Sequence, residues 1–230
     1  GQHGGLFGMA EVYWDEDHQR QISDQFISWG WVDALDEKVI PLSALKMLGC
    51  AEINYDKQGY IGFVQLAIPR FAYSMYSIPI AGQWFDYFED QKRFVGKLEG
   101  RAVKMLRIRL RGNCNYGFNE REFWTKRLCS NSVDTRKLSF YRFLKGCRLF
   151  VTSYNATTLV ESLYFNVPTI AFWDPEFWEL RPSARSYVSI LERSSIYHRC
   201  PERAAKFVNS ILSDLDGWWN SSGVQSSRLE

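Results

Sequence analysis

Histidine and cysteine are scarce in this chain, and neither is spaced for metal or disulfide chemistry. Its 230 residues hold 3 histidines (His3, His18 and His198) and 5 cysteines (Cys50, Cys114, Cys129, Cys147 and Cys200). The cysteines are odd in number, widely separated and include no CxxC pair. That pattern suits reduced thiols in a cytosolic setting and argues against a disulfide framework or a zinc site. Long hydrophobic runs are missing as well. No uninterrupted apolar window of about 18 residues exists, so no membrane span is expected. The most apolar stretch, 63–82, is cut by Pro69, Arg70 and Pro79. A charge surplus of one sign is also lacking: the net charge is +2, with no polybasic tail. The densest basic run, 101–111, alternates with apolar residues, which gives no support to a nucleic-acid partner.

What is present is an apolar share of 46%, a charged share of 23% and an aromatic share of 16%. The first two are those of a soluble globular protein, and the length fits one large domain or one and a half ordinary ones. The aromatic surplus suits a core and an interface, and equally grooves that stack on sugars or bases. The chain opens on GQHGGLFG and carries no signal-peptide pattern. A glycine-rich stretch that resembles a site, met at the first residue, leads us to expect a fragment whose N-terminal portion is missing.

Along the chain, residues 9–23 are polar enough for an exposed helix, and QFISWGW (25–31) reads as a short strand. A loop with a second extended piece follows, and then YIGFVQLAIPR (60–70) as an apolar strand. Residues 82–103 have helical spacing, with Trp84, Phe85, Phe88, Val95 and Leu98 as the apolar stripe. In KMLRIRLR (104–111), Leu106, Ile108 and Leu110 alternate with Arg107, Arg109 and Arg111, as a strand requires. Short helices are expected at 120–128 and 139–147. Next come a strand at 148–152, a polar turn, a helix to about Phe165 and a strand at 169–173. Helices at 176–193 and 201–215 and a serine-rich tail complete the chain. Strands alternating with helices predict an α/β fold with a Rossmann-like parallel sheet covered on both faces. The divisions expected are N-terminal elements over 1–59, the Rossmann-like unit over 60–219 and a tail over 220–230.

Ligands of doubly wound sheets bind outside the carboxyl ends of the strands. Arg70, the loop 109–116, the turn Ser153-Tyr154-Asn155-Ala156-Thr157-Thr158, and Trp173-Asp174 all fall at such ends. The turn has two readings. Thr158-Leu159-Val160-Glu161 fits a capping box, and Asn155 is an alternative N-cap. Yet Ser153, Asn155, Thr157 and Thr158 offer more polar groups than one cap needs, and a helix N-terminus suits a phosphate. Glu161, one turn further on, either accepts from ribose hydroxyls or is a cap partner or solvated carboxylate. Arg109 or Arg111 either holds a phosphate or carboxylate or makes an ordinary salt bridge. His3, between Gln2 and the pair Gly4 and Gly5, is a candidate general base or phosphate donor in a loop whose glycines let a ligand approach the backbone. His18 and His198 read as surface residues.

Taken together, GQHGG with Gly8, SDQFISWGW, the basic strand followed by NYGF, RLFVTSYNATTLVESLYFNVPTIAFWDPEFWELRPSA and DGWW resemble a family of surface-carbohydrate transferases encoded beside bacterial O-antigen genes. The likeness is longest and most specific from Val151 to Pro182. More distantly, the strand–TSYN–helix–VPTI layout is similar to the C-terminal half of GT-B glycosyltransferases and to the glycerol-phosphate polymerases of teichoic acid synthesis. The resemblance implies a cytoplasmic two-domain enzyme with its active site between Rossmann-like halves, associated peripherally at most with the inner membrane. Its C-terminal half would hold a nucleotide-sugar as substrate, with no further cofactor and no metal. It would transfer the sugar to a glycan or lipid-linked acceptor. On the same implication Ser153–Thr158 and Glu161 contact the donor, and Gln2 and His3 face the cleft. The alternatives are a nucleotide-sugar 2-epimerase and a non-catalytic module of a polysaccharide assembly complex.

Overall fold

A computed structural model describes residues 1–71, 75–111, 116–128, 132–134 and 138–230. The strand–helix alternation of the sequence becomes one parallel sheet. Its strands are β3 (Tyr60–Val64), β4 (Leu106–Arg109), β5 (Cys147–Thr152), β6 (Thr169–Phe172) and β7 (Tyr197–His198). They lie in the order β4-β3-β5-β6-β7, and every pairing is parallel. Ahead of them, β1 (Phe26–Ser28) and β2 (Val39–Pro41) form a separate two-stranded parallel sheet. The helices are α1 (Trp14–Ile22), α2 (Gln83–Gly96), α3 (Gly100–Met105), α4 (Glu120–Arg127), α5 (Phe140–Lys145), α6 (Thr157–Tyr164), α7 (Pro182–Arg193), α8 (Pro201–Ile211), α9 (Leu215–Trp219) and α10 (Ser222–Leu229).

This order puts the first strand of the sheet, β3, between its second and third. The chain runs outward one way from β3 to β4 and the other way from β5 to β6. Right-handed crossovers leaving in opposite directions put α2 and α6 on opposite faces. The contacts agree: α2 packs on α8, and α6 packs on β5, β6 and α10. Most of the aromatic surplus is core. Phe63, Phe94 and Phe172 meet with centroids 4.8–5.9 Å apart, and Trp124, Trp173, Trp178 and Trp219 are fully buried. Each such ring contributes on the order of 2–3 kcal/mol by leaving water. A small second core of Phe7, Phe26 and Val39 sits under the N-terminal elements.

Several expectations change. In α2 the buried face carries Trp84, Tyr87, Phe88, Gln91, Phe94 and Val95, whereas Phe85 is exposed. At about 100° per residue Phe85 points away from the stripe its neighbours define. The helix expected from 176 begins only at Pro182, because Leu180 bridges to Ala10 and Pro182 starts α7 at its first turn. The serine-rich segment read as a tail is the helix α10, held by buried Val224 and by Arg228, which donates to the Leu163 carbonyl at 3.0 Å. His198, read as a surface residue, is half-buried: it lies in β7 with its ring 5.2 Å from that of Phe207. Cys50 and Cys200 are thiols, Cys147 is a buried thiol that donates to the Phe143 carbonyl at 3.4 Å, and Cys114 and Cys129 lie outside the described residues. Among the described residues no helix is long and apolar enough to cross a membrane.

Candidate functional site

The reversal of strand order makes the gap between the carboxyl ends of β3 and β5 the switch point of the sheet, where ligands of doubly wound folds bind. The register sets Arg109, Val64, Thr152 and Ala171 side by side along that edge. Tyr87 of α2 straps the gap. Its hydroxyl accepts from the Leu66 amide at 2.8 Å, just past β3, and shares a 2.9 Å hydrogen bond with Ser153 Oγ, just past β5. Burial pushes the Tyr87 phenol well above its ordinary range, so it stays neutral as a positioning group.

The turn after β5 leads into α6 without a side-chain cap. The N-cap position is Ala156, in extended backbone, and no side chain closes on the first turn. Neither sequence reading of a cap holds. Thr158 falls inside the helix, and Glu161 is drawn away into an ion pair with Lys46, whose ammonium also lies 5.4 Å from the Trp29 ring. Ser153 is taken by Tyr87, and Thr152 Oγ1 donates to the Tyr154 carbonyl at 3.1 Å. The amides of Thr157 and Thr158 therefore begin the helix with no partner among the described residues. Asn155 is only 3% exposed, and its side-chain amide likewise makes no hydrogen bond among the described residues. Burial pushes the Tyr154 phenol up to about 12, and nearby Thr158 offsets that slightly. No hydrogen bond of ordinary geometry closes on the buried Thr158 hydroxyl. Unpaired donors at a helix start, beside a buried unpaired amide, form an anion-binding arrangement.

The glycine-rich loop lies directly on this helix start. Gly5 is buried, and its amide donates to Thr157 Oγ1 at 2.9 Å. A Cβ there would sit 2.4 Å from the Thr157 nitrogen, so only glycine fits so close an approach. Gln2 anchors the loop from behind. Its Oε1 accepts from the Trp29 amide at 2.7 Å and from Trp31 Nε1 at 2.8 Å, while its Nε2 donates to the Gly4 carbonyl at 2.9 Å. Glu16, fully buried, fixes the far end. It accepts from the Gly8 amide at 2.8 Å and from both terminal nitrogens of Arg181, at 2.8 and 3.1 Å. His3 is exposed on the loop, edge-on to Phe7, with its Nε2 3.1 Å from Gln19 Nε2. Two stretches 152 residues apart at the Gly5–Thr157 contact are thus brought together.

A family model described as LIC12162 family transferase matches residues 1–230. The chain belongs to this family of transferases. No curated protein matches it. In this transferase the remaining candidates scatter along the same edge of the sheet. Arg109 donates through Nη2 to the Leu138 carbonyl at 2.8 Å and covers the Phe143 ring, while its buried Nη1 has no partner among the described residues. Arg111 is exposed. Arg70, also exposed, lies over the Phe71 ring at 5.7 Å. Asp174, just past β6, accepts from the Glu176 amide at 2.9 Å and so caps a local turn. Among the described residues no group of three or more His, Cys, Asp or Glu side chains is placed to hold a metal ion. Tyr87 was missed by sequence reasoning, although its i+3 spacing from Trp84 marks it as facing the sheet. Lys46 carried no signal, because its partner is remote in sequence.

Proposed function

We propose that this transferase is the donor-binding part of a GT-B-like glycosyltransferase of bacterial surface polysaccharide assembly, acting in the cytoplasm on a nucleotide-sugar and a glycan or lipid-linked acceptor. The observation that carries the reading is the uncapped start of α6 at the switch point, covered by the Gly4-Gly5 loop and flanked by Asn155. The donor's phosphates lie against the Thr157 and Thr158 amides and the Asn155 side chain. There the helix dipole meets the charge that grows as the bond from sugar carbon to phosphate oxygen breaks. The acceptor hydroxyl forms the new bond to that carbon, and its proton passes to His3 on the exposed side of the loop. For this role Gln19 must release the ring, because its side-chain N–H donates into the Nε2 lone pair that takes the proton. The nucleoside diphosphate leaves.

Calorimetry of the chain against nucleoside mono- and diphosphates tests the reading. One nucleotide is expected to bind the α6 turn through its phosphates, more tightly than its nucleoside, and Asn155→Ala with Thr158→Ala is expected to abolish this phosphate-dependent binding while the Tm barely moves. If no nucleotide binds and the double variant lowers only the Tm, the turn is structural and the donor reading fails.

A further inference from the structure

A cavity of about 630 Å³ opens on the other side of Tyr87, beyond the carboxyl ends of β3 and β4 and under α2 and α4. Its walls are aromatic: Trp84 stacks on Phe118 with centroids 3.7 Å apart and on Phe88 at 4.8 Å. Two glutamines reach into the same cavity from the buried side, and both are poorly served. Gln91, 1% exposed, has a side-chain amide with no hydrogen bond among the described residues, and its Oε1 is fully enclosed. Gln65, 5% exposed, accepts from Trp124 Nε1 at 3.1 Å through Oε1, and its enclosed Nε2 is left without a partner. An indole N–H only donates, so this contact fixes the Gln65 amide with its NH2 as the unpaired end.

A buried amide without a partner costs on the order of 1–3 kcal/mol, and one cavity lined by two of them calls for an explanation. A cavity of this size suits a small molecule, with apolar walls to hold it and a few polar groups to orient it. The geometry points to a second ligand site in this chain, separate from the α6 turn. It takes a ring whose edge carries a carbonyl and an adjacent N–H. The two glutamine side chains turn from their enclosed positions into the cavity, so that the carbonyl accepts from Gln65 Nε2 and the N–H donates to Gln91 Oε1, and the ring face lies against the half-buried Phe118. That edge belongs to a pyrimidine or purine lactam and equally to an acetamido sugar. The site stands whether or not the α6 turn binds a nucleotide.

Ligand-observed NMR titrations of the full chain with uridine, N-acetylglucosamine and glucose separate the sources. Saturable binding is expected for uridine or for N-acetylglucosamine, and which one binds names the source, while glucose, which lacks the amide edge, does not saturate. Gln91→Leu is expected to weaken that binding about tenfold, the loss of one buried hydrogen bond. The same change is expected to raise the Tm, because it removes an enclosed polar atom that has no partner among the described residues. Phe118→Leu, on the partly exposed wall, weakens the same ligand, and Asn155→Ala leaves it unchanged. Failure of both amide-bearing probes to saturate, or full affinity in Gln91→Leu, overturns the proposal. A lower Tm in Gln91→Leu shows a structural amide and overturns it as well.

Discussion

Replacing Gly5 with alanine tests how the glycine-rich loop meets α6, and Gly4→Ala serves as its control. At Gly5 a Cβ would lie 2.4 Å from the Thr157 nitrogen, 2.5 Å from the Ala156 carbonyl carbon and 2.8 Å from the Thr157 Cα. All three neighbours are backbone of a helix start, so none can rotate aside. At Gly4 the nearest atom would be Thr157 Oγ1 at 3.7 Å, an ordinary contact. Neither glycine has a positive φ, so the difference between them is one of space alone. To accept a methyl at position 5 the loop must lift by about 1 Å, which breaks the bond from the Gly5 amide to Thr157 Oγ1. Overpacking of this kind costs about 1–3 kcal/mol and the lost hydrogen bond about 1 kcal/mol more. For a chain of this length the total corresponds to a Tm fall on the order of 5–15 °C. Differential scanning calorimetry of the two variants reads this directly. Gly4→Ala should stay within about 2 °C of the parent, since surface changes away from such contacts cost under about 0.5 kcal/mol. Equal Tm values for the two variants would refute the claim that the loop is seated on the helix.

Two further predictions rest on buried charge. Glu16→Ala removes the shared partner of Gly8, Arg20 and Arg181, and Arg181 keeps the Ala10 carbonyl, at 3.2 Å, and the Trp31 ring, 5.8 Å away, but no carboxylate among the described residues. Breaking such a pair costs about 3 kcal/mol, so urea denaturation should show that loss, and combining Glu16→Gln with Arg181→Met should recover most of it; a loss under about 1 kcal/mol would contradict the network. Burial holds the His198 imidazole below its ordinary range, opposed by a hydrogen bond to the Ser195 backbone and by Glu192, with Arg203 adding to the depression. The unfolded chain therefore takes up this proton before the folded one does. The stability His198 contributes is whole above its unfolded pKa of about 6.5 and falls as the pH drops below it. A His198→Gln variant should lose less Tm than the parent between neutral and mildly acidic pH, and parallel pH profiles would count against this.

The sequence made the parallel sheet readable because β3 to β6 are each bounded by turn residues and separated by helical spacing. The expected strand at 148–152 and β5, Cys147–Thr152, differ by one residue. What escaped was whatever depends on a remote partner. β7 is two residues long, too short for any alternation to register, and exists because Ala171 and Phe172 pair with it. α10 has the serines of a loop, and it is helical because Arg228 and Gln225 tie it to Leu163, Asn166 and Glu52. The candidate site divides in the same way. Its place at a strand end followed from the order of the elements. The loop that covers it, the tyrosine that straps it and the lysine that neutralises Glu161 are contacts between segments that no local pattern relates.

The turn after Thr152 shows why the capping pattern misled. Its polar groups are sufficient to cap α6 locally, and a cap of that kind is worth about 1 kcal/mol. In the fold four are drawn elsewhere, Thr152 to the Tyr154 carbonyl, Ser153 to Tyr87, Thr157 to the Gly5 amide and Glu161 to Lys46, while Asn155 and Thr158 close on no hydrogen-bond partner among the described residues. The helix is left with its first amides unpaired at the one point where the order of the strands reverses. A local rule broken in this way, with no compensation among the described residues, is expected where a ligand supplies the missing partner. The two orphaned glutamines beyond Tyr87 repeat the pattern on the neighbouring side of the same edge, so the tyrosine stands as the partition between two unsatisfied surfaces. Filling one without the other should be measurable as two independent binding events on a single chain.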